Sequence, residues 1–486
     1  MNNEEHRMVK KITQKSKDFS KWYVEIIRKA EVADYAPIKG MIAIRPYGFA
    51  VWENLQNLLD LRIKRTGHSN AYFPLFIPES LLEKEVEHLE GFSPEVAWVT
   101  HGGEEELEER LAVRPTSEAI IGNMYSKWIK SYRDLPVLIN QWANIVRWEK
   151  VTRPFLRTTE FLWQEGHTVH ETAEEAQKET MMILELYKEF AESELAIPVI
   201  SGIKTEREKF AGAEATYCIE ALMADGKALQ MGTSHFLGQH FSKVFNIRFE
   251  DRNQKLQYGW QTSWGVSTRL IGAVIMAHGD DSGLKLPPRI APIQVVIVPI
   301  SVGDWKKTVL PVATRIKDEL KQAGIRVKLD HREEFTPGWK FANWEMRGVP
   351  LRIELGPRDI KNNQAIAVRR DTGDKIPYAL DELKEKVGAA LVDIQKSLLK
   401  VAFKYRQENT HEVDNFEEFK SILENQRGLI KTFWCGASAC EDRIKNETMG
   451  TIRAVLLDKD KRGKANGKCV LCGKEADKLV YFARAY

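Results

Sequence analysis

The sequence predicts an α+β chain of three domains, and three observations carry that expectation. First, 486 residues exceed what one hydrophobic core supports, because cores stop growing near ~250–300 residues. Second, helices and glycine-rich alternating segments run to about residue 286, whereas strand and helix signals alternate from 287 to 400. Third, four of the five cysteines cluster at Cys435, Cys440, Cys469 and Cys472. Residues 1–286 read as a domain with a largely antiparallel sheet, 287–400 as a small α/β domain, and 401–486 as a small α+β domain with a metal site.

Composition agrees with a folded chain: 43% hydrophobic and 29% charged residues lie far from the low-apolar regime of disorder. The net charge of +3 neither requires nor excludes nucleic acid, since local patches decide that affinity. No apolar run approaches the ~20 residues that span a bilayer, and the polar start "MNNEEHRMVKK" lacks the apolar stretch of a secretory signal. A cytoplasmic protein that avoids the membrane is the expectation.

The elements follow in order. Charged and aromatic residues at helical spacing run from Lys17 to Ile27, and a second stripe joins Val51, Leu55, Leu58, Leu59 and Ile63 until Gly67 ends it. "AYFPLFIP" is extended, because its prolines exclude a helix interior. Between Asn140 and His167 the pattern alternates around the break "KVTRP", predicting two strands and a loop. In that reading Arg147 and Glu149 share a face of the first strand, and Phe161, Trp163, Glu165 and His167 share a face of the second. Strong helix formers fill Glu171 to Leu195, and glycine-rich strands then lead into the apolar "LIGAVIMAH". Three prolines in "KLPPRIAP" mark a boundary, and "HEVDNFEEFKSILENQRGLIK" reads as a polar helical stretch before the cysteines.

Arg147, Glu149, Arg157 and Phe161 stand as Arg-x-Glu, a loop, then Arg-x-x-x-Phe. A bare sheet face would carry the same charges as cross-strand ion pairs. The spacing resembles motif 2 of the class II aminoacyl-tRNA synthetases. "GVSTRLIGAVIM", containing Arg269, resembles their motif 3, with Thr268 where an acidic residue is usual, and Val51 to Pro74 resembles the helix and strand of motif 1. The resemblance implies that Arg147 grips the α-phosphate of ATP and the substrate carboxylate, that Phe161 stacks on adenine, and that Arg269 holds the γ-phosphate. A guanidinium fork suits a phosphoryl centre that gains charge on attack.

"RPTSE", Arg114 to Glu118, resembles the Thr-x-Glu loop that faces the substrate amine, although Ser117 and Glu118 also suit a helix start. Together with "FLWQEGH", "MGTSHFLGQ" and "GWQTSWGVSTR" it is similar to the prolyl-tRNA synthetases of archaeal and eukaryotic type, over nearly the whole chain. That match implies a proline pocket of Thr116, Glu118, Arg147, Trp163, Glu165, His167, His235 and Ser267, with Phe92 beside it. It implies an ATP site of Arg147, Glu149, Arg157, Phe161, Gln230, Thr233 and Arg269, with Arg147 and Arg269 catalytic. Two N–H donors of a secondary ammonium suit Glu118, and a ring suits Trp163. About a hundred residues separate His167 from Arg269, so the bacterial editing insertion is expected to be absent. The lone Cys218 reads as a small buried hydrophobe.

The resemblance further implies that the α/β domain reads the anticodon, with Lys340, Trp344, Arg347 and Arg352 as candidate contacts. C-x4-C and C-x2-C, 28 residues apart, suit the four corners of a structural Zn²⁺ site. The expected reaction joins L-proline and Mg²⁺-bound ATP into prolyl-adenylate, then passes proline to tRNA(Pro). Motif 1 implies a homodimer. A threonyl- or seryl-specific relative, or a binding paralogue without activity, remains open at this point. The aromatic tail ending in Tyr486 is expected to dock near the cleft.

Overall fold

A computed structural model describes residues 12–88, 95–457 and 466–486. The polar N-terminal start and Phe92 lie outside the described residues. Helices α1 (Phe19–Lys29) and α2 (Pro46–Arg65) open the chain. Asp18 caps α1 by accepting from Lys21 N, and Gly67 closes α2 at φ +94°, where a side chain would be strained.

One eleven-stranded sheet forms the frame. Its strands are β1 (Ser69–Asn70), β2 (Val137–Val146), β3 (Glu160–His170), β4 (Ile200–Ile203), β5 (Ala215–Leu222), β6 (Ala228–Gly238) and β7 (Trp260–Ser267), and four more come from the C-terminal part. From β4 to β2 every pairing is antiparallel, in the order β4-β5-β6-β7-β3-β2. Helix α3 (Glu118–Trp128) precedes β2. Helix α4 (Ala173–Ser193) starts at a capping box between Thr172 and Glu175, and α5 (Arg269–His278) follows β7. Ile183, Tyr187 and Phe190 of α4 share a core with Ile219, Met231, Trp264 and Val266 of the sheet and with α5.

The second region is a five-stranded sheet of β8 (Val295–Pro299), β9 (Val327–Leu329), β10 (Leu351–Leu355), β11 (Gln364–Arg369) and β12 (Lys375–Ala379). Its order is β9-β8-β10-β11-β12, parallel around β8 and antiparallel beyond β10. Helix α6 (Pro337–Met346) covers β8, and α7 (Leu383–Glu408) leads out.

The last region adds β13 (Thr410–Glu412), β14 (Leu429–Trp434), helix α8 (Ser438–Thr448), β15 (Thr451–Val455) and β16 (Lys478–Ala483). These strands extend the large sheet, joined where Val455 pairs with Ile203. Gly202 permits that approach, because a Cβ there would stand 2.5 Å from Val455 O. Among the described residues no helix is long and apolar enough to cross a membrane.

Four local expectations differ from the structure. The first motif 2 strand ends at Val146, so Arg147 and Glu149 lie past it, although Arg147 N still donates to Thr159 O at 2.8 Å. "AYFPLFIP" is not one strand: β1 ends before it, and Phe76–Pro78 pairs in a separate three-stranded sheet. The stretch before the cysteines is helical only in its middle, because its two ends pair as the strands β13 and β14. Lys340 and Trp344 are buried, both turned onto Asp330, while Arg352 pairs with Glu345 and Glu354 and Arg347 with Glu31. Their charge and rings serve packing and ion pairs, not a free nucleic-acid surface.

Candidate active site

The open face of β3, β7, β6 and the start of α3 enclose a cleft of about 300 Å³. Alternation on β3 delivers Phe161, Trp163, Glu165 and His167 to it, as the sequence pattern predicts. Thr116, Glu118, Arg147, Gln230, Thr233, His235, Ser267 and Arg269 complete the candidates it brings together. Glu149 and Arg157 do not line it.

One end is built around Glu165. Its carboxylate accepts from Ser117 Oγ at 2.6 Å, Gln141 Nε2 at 2.7 Å and His167 Nε2 at 2.9 Å. Ser117 occupies the N-cap position of α3 without capping it, since its hydroxyl is committed to Glu165. Burial opposes charge on Glu165, but His167, Ser117 and Gln141 outweigh it and hold its pKa low. Burial likewise opposes charge on His167, and Glu165 reverses this and raises its pKa. Glu118, a buried carboxylate, accepts from Thr116 Oγ1. His235 differs: burial, then the neighbouring His167, push its pKa down to about 3, so it is neutral, with Nδ1 2.9 Å from Thr216 Oγ1.

The other end carries cations. Arg147 Nε donates to Pro115 O at 2.9 Å, and its guanidinium lies 5.6 Å from both the Phe161 and Trp163 rings. It keeps access to the mouth of the cleft, yet surrounding protein desolvates it and lowers its pKa against the pull of Glu118, Glu149 and Glu165. Arg269 donates to the carbonyls of Leu156 and Gln230 at 3.1 and 3.2 Å. Burial, then Arg147 and Arg157, bring its pKa down to about 10. Among the described residues neither Arg147 nor Arg269 has a carboxylate within ion-pair distance. An anion held at this end would meet both.

Glu208, Phe210, Thr216 and Ser263, which no sequence pattern singles out, also line the cleft. Ser263 was within reach, because it sits two residues before Gly265 on the strand that pairs with β3, opposite His167. Its Oγ and Trp163 Nε1 are buried without a partner among the described residues. Glu208 and Phe210 come from an irregular segment whose place only the tertiary fold reveals. Cys218 is fully buried among apolar residues, and burial pushes its thiol up to about 11.

The four clustered cysteines meet as expected. Their sulfurs lie within 4.8 Å of one another, with Cys435 3.7 Å from Cys440 and 3.8 Å from Cys472. A Zn²⁺ tetrahedron with ~2.3 Å bonds has edges of about 3.8 Å. The donor set and its spacing fit that metal.

Three family models match the chain: the class II tRNA synthetase core domain (G, H, P, S and T) over residues 98–278, the anticodon binding domain over 294–389, and the prolyl-tRNA synthetase C-terminal domain over 416–486. A proline-tRNA ligase of Natranaerobius thermophilus is 58% identical, spanning 100% of this chain and 99% of its own. A second, of Alkaliphilus oremlandii, is 58% identical over the full length of both chains. A crystal structure of prolyl-tRNA synthetase from Cryptosporidium parvum, complexed with halofuginone and AMPPNP, superposes with a TM-score of 0.93 at 43% identity, covering 99% of this chain and 100% of that one.

Proposed function

The chain belongs to the proline-tRNA ligases, aminoacyl-tRNA synthetases of class II, and from that premise we propose how its cleft divides between two substrates. Proline occupies the end formed by Thr116, Glu118, Trp163, Glu165, His167, His235 and Ser267. ATP, entering as its Mg²⁺ complex, occupies the end formed by Arg147, Phe161, Gln230, Thr233 and Arg269, with Glu149 and Arg157 closing over it from outside the cavity. The observation that carries this reading is the pair of guanidiniums without carboxylate partners facing, across one cavity, an aromatic pocket that holds the carboxylates of Glu118 and Glu165.

The chemistry follows from that division. A proline carboxylate oxygen attacks the α-phosphorus, the bond to the bridging oxygen of pyrophosphate breaks, and prolyl-adenylate forms. Charge gained at the α-phosphate is met by Arg147, and charge on the departing pyrophosphate by Arg269. A ribose hydroxyl at the 3′ end of tRNA(Pro) then attacks the acyl carbon and AMP leaves. Glu165 is fully engaged by three donors and does not act as a base, so positioning and charge supply the rate. Alanine enters as a smaller competitor, because a missing methylene costs only ~1–3 kcal/mol and alanine lacks no more than two.

Proline-dependent ATP-pyrophosphate exchange, run beside threonine, serine and alanine, tests the assignment. Exchange with proline and its abolition by Arg147→Ala are expected. Exchange with threonine or serine in preference to proline would overturn the pocket.

Residues 1–286, 287–400 and 401–486 act in this reading as catalytic, anticodon-binding and metal-binding domains, which the family matches at 98–278, 294–389 and 416–486 support. The archaeal and eukaryotic subtype is supported by the matching C-terminal domain and by the near-complete mutual coverage with the Cryptosporidium parvum chain. Cys435, Cys440, Cys469 and Cys472 hold a structural Zn²⁺, since four thiolates leave no open position. Metal analysis of the purified chain should find one zinc, lost in Cys469→Ser. Phe49 and Leu61 on α2, with Tyr72 and Phe76 after it, stay exposed, which supports a homodimer through this region, read by sedimentation. The cytoplasm is the compartment that fits this chemistry and free thiols.

A further inference from the structure

Residues 204–214, between β4 and β5, form an irregular segment. It carries Glu208 and Phe210 into the proline end of the cleft, where the Phe210 ring lies 4.8 Å from that of His235. Thr216 Oγ1 ties its far end in place, accepting from Phe210 N and meeting His235 Nδ1, both at 2.9 Å. Its near end is held from outside the catalytic region. Thr205 Oγ1 donates to Glu441 Oε1 at 2.9 Å, and both residues are buried, 4% exposed. Glu441 stands in the first turn of α8, next to Cys440.

Thr205 is also the pivot of the turn: its carbonyl accepts from the amides of Glu208 at 3.0 Å and Lys209 at 2.9 Å. Its neighbour Lys204 is fixed as well, with Nζ bonded to Glu220 Oε1 at 2.7 Å and to Arg453 O at 2.8 Å. Arg453 closes the cluster through Nε and Nη2 on the same Glu220 carboxylate. A surface loop needs no such buried polar anchoring, which is costly to assemble and rigid once satisfied.

We propose that Glu441 is a positioning residue for proline binding, acting through Thr205 on the turn that presents Glu208 and Phe210. The C-terminal region thereby sets the affinity of a pocket it does not enter. The inference rests on the assignment of that end of the cleft to proline.

The test uses the full-length chain in proline-dependent ATP-pyrophosphate exchange. Glu441→Ala and Thr205→Val should each raise KM for proline by roughly two- to thirty-fold, leaving kcat and KM for ATP unchanged. The double substitution should be no worse than the more severe single one, because both remove one hydrogen bond. Glu441→Gln, which keeps an oxygen acceptor, should restore KM. Thr205→Val tests the same bond from the catalytic side should Glu441→Ala fold poorly. Unchanged KM for proline in Thr205→Val, or a fall in kcat at constant KM, overturns the inference, since loss of folded enzyme alone moves kcat. Absence of proline-dependent exchange in the unsubstituted chain overturns the pocket assignment itself, which separates the two failures.

Discussion

The two ends of the cleft solve opposite electrostatic problems. At the end proposed for proline Glu165 is answered within the protein, accepting hydrogen bonds from Ser117, Gln141 and His167, and His235 is neutral, while Glu118 has only the Thr116 hydroxyl and is left for a ligand cation. At the end proposed for ATP Arg147 and Arg269 face the cavity with carbonyls as their only hydrogen-bond acceptors, and their mutual repulsion contributes to the lowered pKa of Arg269. On the proposed assignment the difference follows from the ligands. Proline offers few handles and needs a rigid, prebuilt mould. ATP brings enough negative charge to complete an unfinished site.

The largest way to break this contrast is to remove Arg269. Arg269→Ala should lower kcat for exchange roughly 10²–10³-fold with only a small fall in melting temperature, because the arginine gives up two hydrogen bonds to the carbonyls of Leu156 and Gln230 but no ion pair. Glu165→Ala should do the reverse. It strands Ser117, Gln141 and His167 as buried donors and should cost about 3 kcal/mol of stability, seen in chemical denaturation, with a raised KM for proline. Gly166→Ala attacks the mould by packing alone. A Cβ there would stand 2.1 Å from the Trp264 ring, and an overpacked core costs about 1–3 kcal/mol, read as a lower denaturation midpoint. Phe161→Ala should raise KM for ATP about fivefold, the worth of one stacking contact, and leave KM for proline unaffected.

The smallest effect is on pH, and it sharpens the contrast. The pKa of His167 is raised above its ordinary 6.5, so its stabilising contribution is complete below that value and fades as pH rises through the raised one. The pKa of Glu165 is lowered from 4.5, so its contribution is complete above that value and fades as pH falls through the depressed one. The pair is therefore strongest between about 4.5 and 6.5. Stability should decline slowly on the alkaline side, and His167→Gln should flatten that limb. His235, whose pKa is lowered to about 3, acts in the opposite direction: below its ordinary 6.5 only the unfolded chain takes up the proton, so its contribution falls as pH falls.

Much of the site was legible in sequence because strand alternation is a local rule. Phe161, Trp163, Glu165 and His167 share a face on β3, and all four reach the cleft. Its supports were not legible. Ser117 reads as a helix cap and Gln141 as an ordinary strand residue, and only three-dimensional contact shows both bonded to Glu165. Glu208 and Phe210 reach the cleft because a helix some 230 residues later anchors their turn through Thr205, a dependence without local periodicity. The antiparallel fold and its regions followed from element order, but strand ends did not: β2 stops at Val146 where the pattern alone would have continued. In the second region Lys340 and Trp344 looked like ligand contacts by residue type, and Asp330 draws both inward.

The join between Ile203 and Val455 has a consequence for solubility. Without the strands after residue 409, β4 would end the large sheet as an open edge, its Gly202 leaving the backbone bare to any approaching strand. Such an edge is a template for pairing with other chains. The C-terminal strands thus guard against self-association, and a chain shortened before β13 should aggregate at concentrations where the full-length chain remains dispersed.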